Sequence, residues 1–150
     1  KSLQKLATEG KNPLARLHAL WTLEGIGRLD WSTIDRAMDD DDPMVRATAV
    51  RLSERFIDPK SKQARRLSEG KPLPPREISS IPPLKILGRL TKLSDDKRPM
   101  VRLQLLLTLG ELRDEKAESM MADIVSEHRG TVFFAAATSG LQGRELEFIE

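Results

Sequence analysis

The feature that most restricts this chain is a phrase that recurs in it four times. Its fullest form is Asp39-Asp-Asp-Asp-Pro-Met-Val-Arg-Ala-Thr-Ala-Val-Arg-Leu52; edited copies open at Pro13 and Pro99, and a divergent one opens at Thr131. The acidic cluster closes one helix and supplies a cap for the next. Pro43 stands where a first helical residue can do without its N–H, and Val45, Ala49 and Leu52 follow at helical spacing. Each copy is therefore a turn followed by a helix. Pro13 and Pro43 lie 30 residues apart, Pro43 and Pro99 56, and Pro99 and Thr131 32. The middle interval is longer by about the length of the stretch 57–83, which contains Pro72, Pro74, Pro75, Pro82 and Pro83. Those prolines cannot all occupy helix interiors, so 57–83 reads as a basic, Pro-rich loop or insertion within a single domain spanning 1–150.

The segments between the copies supply partner helices. Leu3 and Leu6 belong to a short helix closed by Gly10, and Trp31, Ile34 and Met38 fall at i, i+3 and i+7 of another. Ile86, Leu87, Leu90 and Leu93 restore the periodicity after the prolines, and Ala117, Met120, Met121, Ile124 and Val125 form a fourth such stripe. Gly25 and Gly27 mark the stop of the first copy. Helix pairs repeated at a nearly fixed period predict an all-α solenoid of about four pairs, each burying its faces against its neighbours.

Composition excludes several function classes. With no cysteine there is no disulfide, thiol chemistry or thiolate metal site. The pI of 9.1 overstates the positive charge, because the net charge is only +2 and almost nothing titrates between neutral pH and that value. A dedicated nucleic-acid binder carries a larger excess of Lys and Arg on one face. No apolar run approaches the roughly 20 residues of a membrane span. The chain opens on Lys1 rather than Met and ends at Glu150 within an apparent helical pattern, so it reads as a piece of a longer protein.

Asp42-Pro-Met-Val-Arg-Ala-Thr-Ala-Val-Arg-Leu52 and Pro99-Met-Val-Arg-Leu-Gln-Leu-Leu-Leu-Thr-Leu-Gly-Glu111 resemble the second helices of HEAT repeats. The resemblance covers nearly the whole chain outside 57–83 and implies a right-handed alpha-alpha solenoid. More narrowly, Pro13-Leu-Ala-Arg-Leu-His-Ala-Leu-Trp-Thr-Leu-Glu-Gly25 and Val101-Arg-Leu-Gln-Leu-Leu-Leu-Thr-Leu-Gly110 are similar to the HEAT segment of large exported bacterial dehydrogenase-like proteins. There the segment lies between a sugar-dehydrogenase-type propeller and a c-type haem domain. This chain has no Cys-x-x-Cys-His motif and no propeller, so the resemblance implies a scaffold, with an exported or periplasmic location, and transfers no catalytic residue.

Candidate chemistry is sparse. His18 and His128 have no ligand partner at helical spacing, the Asp39–Asp42 run lacks the Gly and distal Glu of a calcium loop, and Gly25-Ile-Gly27 follows a helix rather than a strand. No nucleophile, base and orienting group can be assembled, so neither catalysis nor a cofactor is expected. Arg16, Arg46 and Arg102 stand three residues after successive prolines. They are expected to form a structural ladder bonded to carboxylates or carbonyls of neighbouring repeats, a fixed-geometry role that suits the guanidinium fork. At 100° per residue, the residues two and six beyond the buried position of each copy point away from the core. Those columns hold Leu17, Ala47, Leu103 and Ala135, then Trp21, Arg51, Leu107 and Ser139. Leu17, Trp21, Arg51, Arg55, Leu103 and Leu107 are thus the candidate partner-binding residues. The reading is a non-catalytic scaffold or protein-interaction module whose partner is a protein or another domain of the parent chain. The alternative is a nucleic-acid-binding HEAT-like protein, in its sharpest form a DNA base-excision glycosylase using Trp21 and Arg51.

Overall fold

The structure, a computed structural model, describes residues 2–57, 83–112, 114–128 and 130–141. The expectation of a loop between Ile57 and Pro83 falls on residues 58–82, outside the described ones. The helices are α1 (Leu3–Glu9), α2 (Pro13–Gly25), α3 (Trp31–Ala37), α4 (Pro43–Ile57), α5 (Pro83–Leu90), α6 (Pro99–Gly110), α7 (Glu115–Glu127) and α8 (Thr131–Leu141). A 3-10 turn, Thr91–Leu93, continues α5, and no strand occurs among the described residues. The protein is all-α.

Local chemistry sets the helix ends. Asn12 caps α2 by accepting from the Leu14 N–H at 2.9 Å, and Pro13 occupies the first turn. Asp42 does the same for α4, accepting from the N–H groups of Met44 and Val45. Asp30 and Asp114 cap α3 and α7 through Thr33 and through Lys116 and Ala117. α2 stops because Gly27 takes up φ 68°, which lets its N–H reach Glu24 O at 3.0 Å while Arg28 N–H reaches Leu23 O at 2.8 Å. That crossed pair satisfies two of the helix's last carbonyls and needs a residue without a Cβ at the left-handed position.

α1 packs on α2, α3 on α4 and α7 on α8, while α2, α4, α6 and α8 each touch the next in a continuous row. α1 also touches α3, α5 rests on α4, and α7 on α6. The interior follows the two periodicities read from the sequence. Val45, Ala49 and Val50 of α4 and Val101, Leu105, Leu106 and Leu109 of α6 are buried against Ile34, Met38, Ile86, Leu90, Met121 and Ile124 of the intervening helices. Trp31 closes one side of this core, its ring edge-on to Phe56 with centroids 5.7 Å apart.

Candidate protein-interaction face and the arginine ladder

Three residues into α2, α4 and α6 stand Arg16, Arg46 and Arg102, and each sends one guanidinium nitrogen backward to the same place. Nη1 of Arg16 donates to the carbonyl of Gly10 at 2.7 Å, Nη1 of Arg46 to that of Asp40 at 2.7 Å, and Nη1 of Arg102 to that of Asp96. Each acceptor lies six residues earlier, in the turn that opens the helix. The other edge of the fork points to the next turn. Arg16 holds the Asp40 carboxylate through Nε at 2.7 Å and Nη2 at 2.6 Å, and Arg46 holds Asp96 through Nε at 2.7 Å and Nη2 at 3.0 Å. Both are two-pronged pairs in which all four side chains are largely buried.

Asp40 and Asp96 each serve three partner residues. The carboxylate receives the preceding arginine and the N–H two residues on, Asp42 at 2.8 Å or Arg98 at 2.9 Å, while the backbone carbonyl receives the arginine of its own repeat. One residue per turn therefore links two repeats and shapes the turn. The electrostatics follow. The Arg16 guanidinium is held above its ordinary pKa, first by the hydrogen bond to Asp40, and Arg46 likewise by Asp96, burial opposing in both cases. For Asp96, burial pushes the carboxyl up, but the Arg46 bond, the Arg98 N–H and the charges of Arg46 and Arg102 outweigh it and leave the group below the usual carboxylate range.

The third step differs. Position 128, equivalent to Asp40 and Asp96, is His128, and position 134, equivalent to the arginines, is Phe134. Arg102 lies over the Phe133 ring at 5.6 Å, and His128 flanks the same ring at 5.6 Å. Nε of Arg102 and Nε2 of His128 are buried with no hydrogen-bond partner. An aromatic face thus takes the place of the carboxylate in the last junction.

The faces of α2, α4, α6 and α8 turned away from the core carry the other sequence-derived residues. Trp21, Arg51, Leu107 and Ser139 are all exposed, as the helical wheel requires. The neighbouring column is only partly open: Leu17, Ala47 and Leu103 are half-buried, with Leu17 and Ala47 packed on the core, and Ala135 alone is exposed. Arg55, expected beside them, corrects that reading. It is buried, with its guanidinium 5.7 Å from the Phe56 ring and Nη1 3.9 Å from Glu24, because at this end of α4 the neighbouring α2 and Phe56 pack against it although the helical wheel turns it outward. Arg51 is half-exposed and paired with Glu54, whose buried carboxylate also accepts from Thr108 of α6 at 2.8 Å.

Sequence reasoning missed one column. Leu14, Met44, Met100 and Val132, each the second residue of its helix, are exposed in all four copies. The signal was present: they stand seven residues before Trp21, Arg51, Leu107 and Ser139, only about 20° short of two full turns, and so share that face. Six large apolar side chains, Leu14, Trp21, Met44, Met100, Leu107 and Val132, are 39–62% exposed on it. None of the residues at these positions, nor of those between them at His18, Thr48, Gln104 and Ala136, is acidic.

Elsewhere, His18 is exposed on α2, and no group of three or more His, Cys, Asp or Glu side chains gathers as a metal site would require among the described residues. No helix among them is long and apolar enough to cross a membrane. Comparison with known protein families, with curated proteins and with solved structures finds no match to this chain.

Proposed function

We propose that the chain is a right-handed solenoid of four HEAT-like helix pairs that acts as a non-catalytic protein-interaction or domain-spacing module. The row α2–α4–α6–α8 and the forward-reaching arginines support the solenoid reading, since both link each unit to the next. The observation that carries the functional reading is the shared outward face, where all four helices expose an apolar residue at the same register position. Contiguous exposed apolar surface on an otherwise well-packed fold marks an interaction site. The buried arginines have structural partners and contribute nothing to that surface.

Trp21 and Arg51 favour a second reading, nucleic-acid binding, because an exposed indole and guanidinium on one face can stack on a base and contact phosphate. A phosphate-tracking groove needs several cations, however, and Arg51 is the only Lys or Arg at the outward positions and is paired with Glu54. Two measurements on the whole chain separate the readings. Filter binding to single- and double-stranded DNA across a salt series is expected to give no salt-sensitive retention. A photo-crosslinking residue at Met44 is expected to form protein adducts in cells where the same residue at exposed Lys85 does not. DNA retention that falls steeply with salt and disappears in Arg51→Glu would replace the first reading by the second.

A further inference from the structure

We propose that the junction between α6 and α8 binds a carboxylate anion, which takes the position that Asp40 and Asp96 fill in the two earlier junctions. The site is separate from the outward apolar face and does not depend on what that face binds.

The molecule itself shows what belongs there. In each earlier junction one carboxylate receives Nε and Nη2 of the preceding arginine and the backbone N–H two residues after itself. The third junction keeps these donors and lacks the acceptor. Arg102 holds the Asp96 carbonyl through Nη1, as Arg16 and Arg46 hold theirs, so its fork starts from the same turn. Its Nε is buried without a partner, and Nη2 makes no bond to a described residue. Gly130 stands at the register of Asp42 and Arg98, and its N–H has no acceptor among the described residues. Along the ladder three guanidinium groups thus share two carboxylates.

The Phe133 ring shows that these groups surround one spot. Arg102 and His128 each lie 5.6 Å from its centroid, and a Cβ on Gly130 would stand 3.8 Å from its Cδ2. Nε2 of His128 is a further buried atom without a partner here. The ring face attracts the guanidinium charge, yet it leaves the Nε–H unsatisfied, and a buried donor without an acceptor is costly. Gly130 is exposed and carries no side chain, so the turn is open to a group from outside. A planar fork with two parallel donors matches the two oxygens of a carboxylate, in charge-assisted bonds stronger than those between neutral groups. That carboxylate comes from a small acid in solution or from an acidic side chain, and Glu145, Glu147 and Glu150 follow α8 in the sequence.

The experiment follows the arginine Nε–H signals and the Gly130 N–H by NMR on the whole chain, while sodium acetate replaces sodium chloride at constant ionic strength and neutral pH. Saturable shifts are expected at Arg102 and Gly130, with Arg16 and Arg46 unmoved because their carboxylates are built in. His128→Asp places the acceptor within the chain, and should remove the acetate response and raise the thermal midpoint. His128→Asn, similar in shape to that variant but uncharged, should keep the response. Combined Glu145→Gln, Glu147→Gln and Glu150→Gln separates the sources. A response already present in the unmodified chain assigns the site to a small acid, whereas one that appears only in the combined variant assigns it to the chain's own glutamates. Three results overturn the proposal: equal shifts in chloride alone, an acetate response that survives His128→Asp, or no response in either the unmodified chain or the combined variant.

Discussion

The junction between α4 and α6 and the one between α6 and α8 join similar helices by different means. In the first, Arg46 grips Asp96 with two prongs, and a second arginine repeats the device one layer away: Arg89 of α5 reaches Asp35 at 2.7 Å and Asp39 at 2.6 Å. In the second, Arg102 keeps its backward bond to the Asp96 carbonyl but lies over the Phe133 ring. The difference shows what each half of the guanidinium does. The backward bond organises the turn of its own repeat and recurs in all three copies, whereas the forward edge clamps the next repeat and can be exchanged. The carboxylate clamp is independent of the length of the connection, since it joins α4 to α6 across the long interval of sequence and α2 to α4 across the regular one.

The largest effect that breaks this comparison is expected from Arg46→Ala. It removes the pair with Asp96 and the bonds to the Asp40 and Asp41 carbonyls, and leaves a largely buried carboxylate without its cation. Unfolding in denaturant should show a loss of about 3–5 kcal/mol, as for other broken buried pairs. Arg46→Lys should recover only part of it, since a point charge cannot make the two-pronged contact. A loss below about 1 kcal/mol would mean that packing alone joins α4 to α6.

Arg16→Ala comes next, at roughly 2–3 kcal/mol, because the same bidentate pair lies nearer the edge of the described fold, where fewer neighbours hold the freed groups in place. Gly10 sharpens the test. A Cβ there would stand 2.7 Å from the Leu6 carbonyl oxygen and 3.3 Å from Cγ of Arg16, so Gly10→Ala must displace backbone and disturb this step of the ladder without touching its charges. If Gly10→Ala and Arg16→Ala are additive, the two are not coupled through the turn, contrary to the geometry.

The sequence carried much of this. The Pro-turn-helix phrase located α2, α4, α6 and α8, and three arginines at one register pointed to a ladder, because a fixed period turns any repeated residue into a spatial column. The acceptors were not legible in the same way. Asp40 sits in a run of four acids, any of which could face Arg16, and only the turn geometry selects it. The replacement of Asp by His128 was hidden because the fourth copy opens on Thr131 rather than Pro. On the outward face, Trp21 and Leu107 followed from the helical wheel, but Arg55 did not, since burial near a helix end depends on which neighbour arrives there. The exposed second residues Leu14, Met44, Met100 and Val132 lie one residue before the buried position of each copy, so the columns two and six residues beyond it do not include them.

Acid sharpens the difference between the two junctions. Asp96 titrates below the ordinary aspartate value of about 3.9, so its contribution is fully present above that value and is lost as the pH falls from there through the lowered pKa of the folded state. Arg46, raised above an already high value, loses its proton only in strong alkali and adds no slope at lower pH. Stability measured from pH 7 to pH 2.5 should therefore hold until about pH 4 and then fall, and Asp96→Asn should flatten part of that fall. An unchanged acid slope in Asp96→Asn would show that the pair does not lower this pKa.

The smallest effect tests the aromatic junction itself. A double-mutant cycle with Arg102→Met and Phe133→Leu keeps bulk at both positions and isolates the contact of the guanidinium with the ring, expected to couple by about 0.5–1 kcal/mol. A cycle on Arg46 and Asp96 should show the larger coupling at neutral pH, where the carboxylate is ionised. A coupling between Arg102 and Phe133 near zero at neutral pH would mean that the ring only fills space. The forward edge of Arg102 would then contribute nothing to the α6–α8 junction, which would be held by apolar packing of Ala137 and its neighbours on α6.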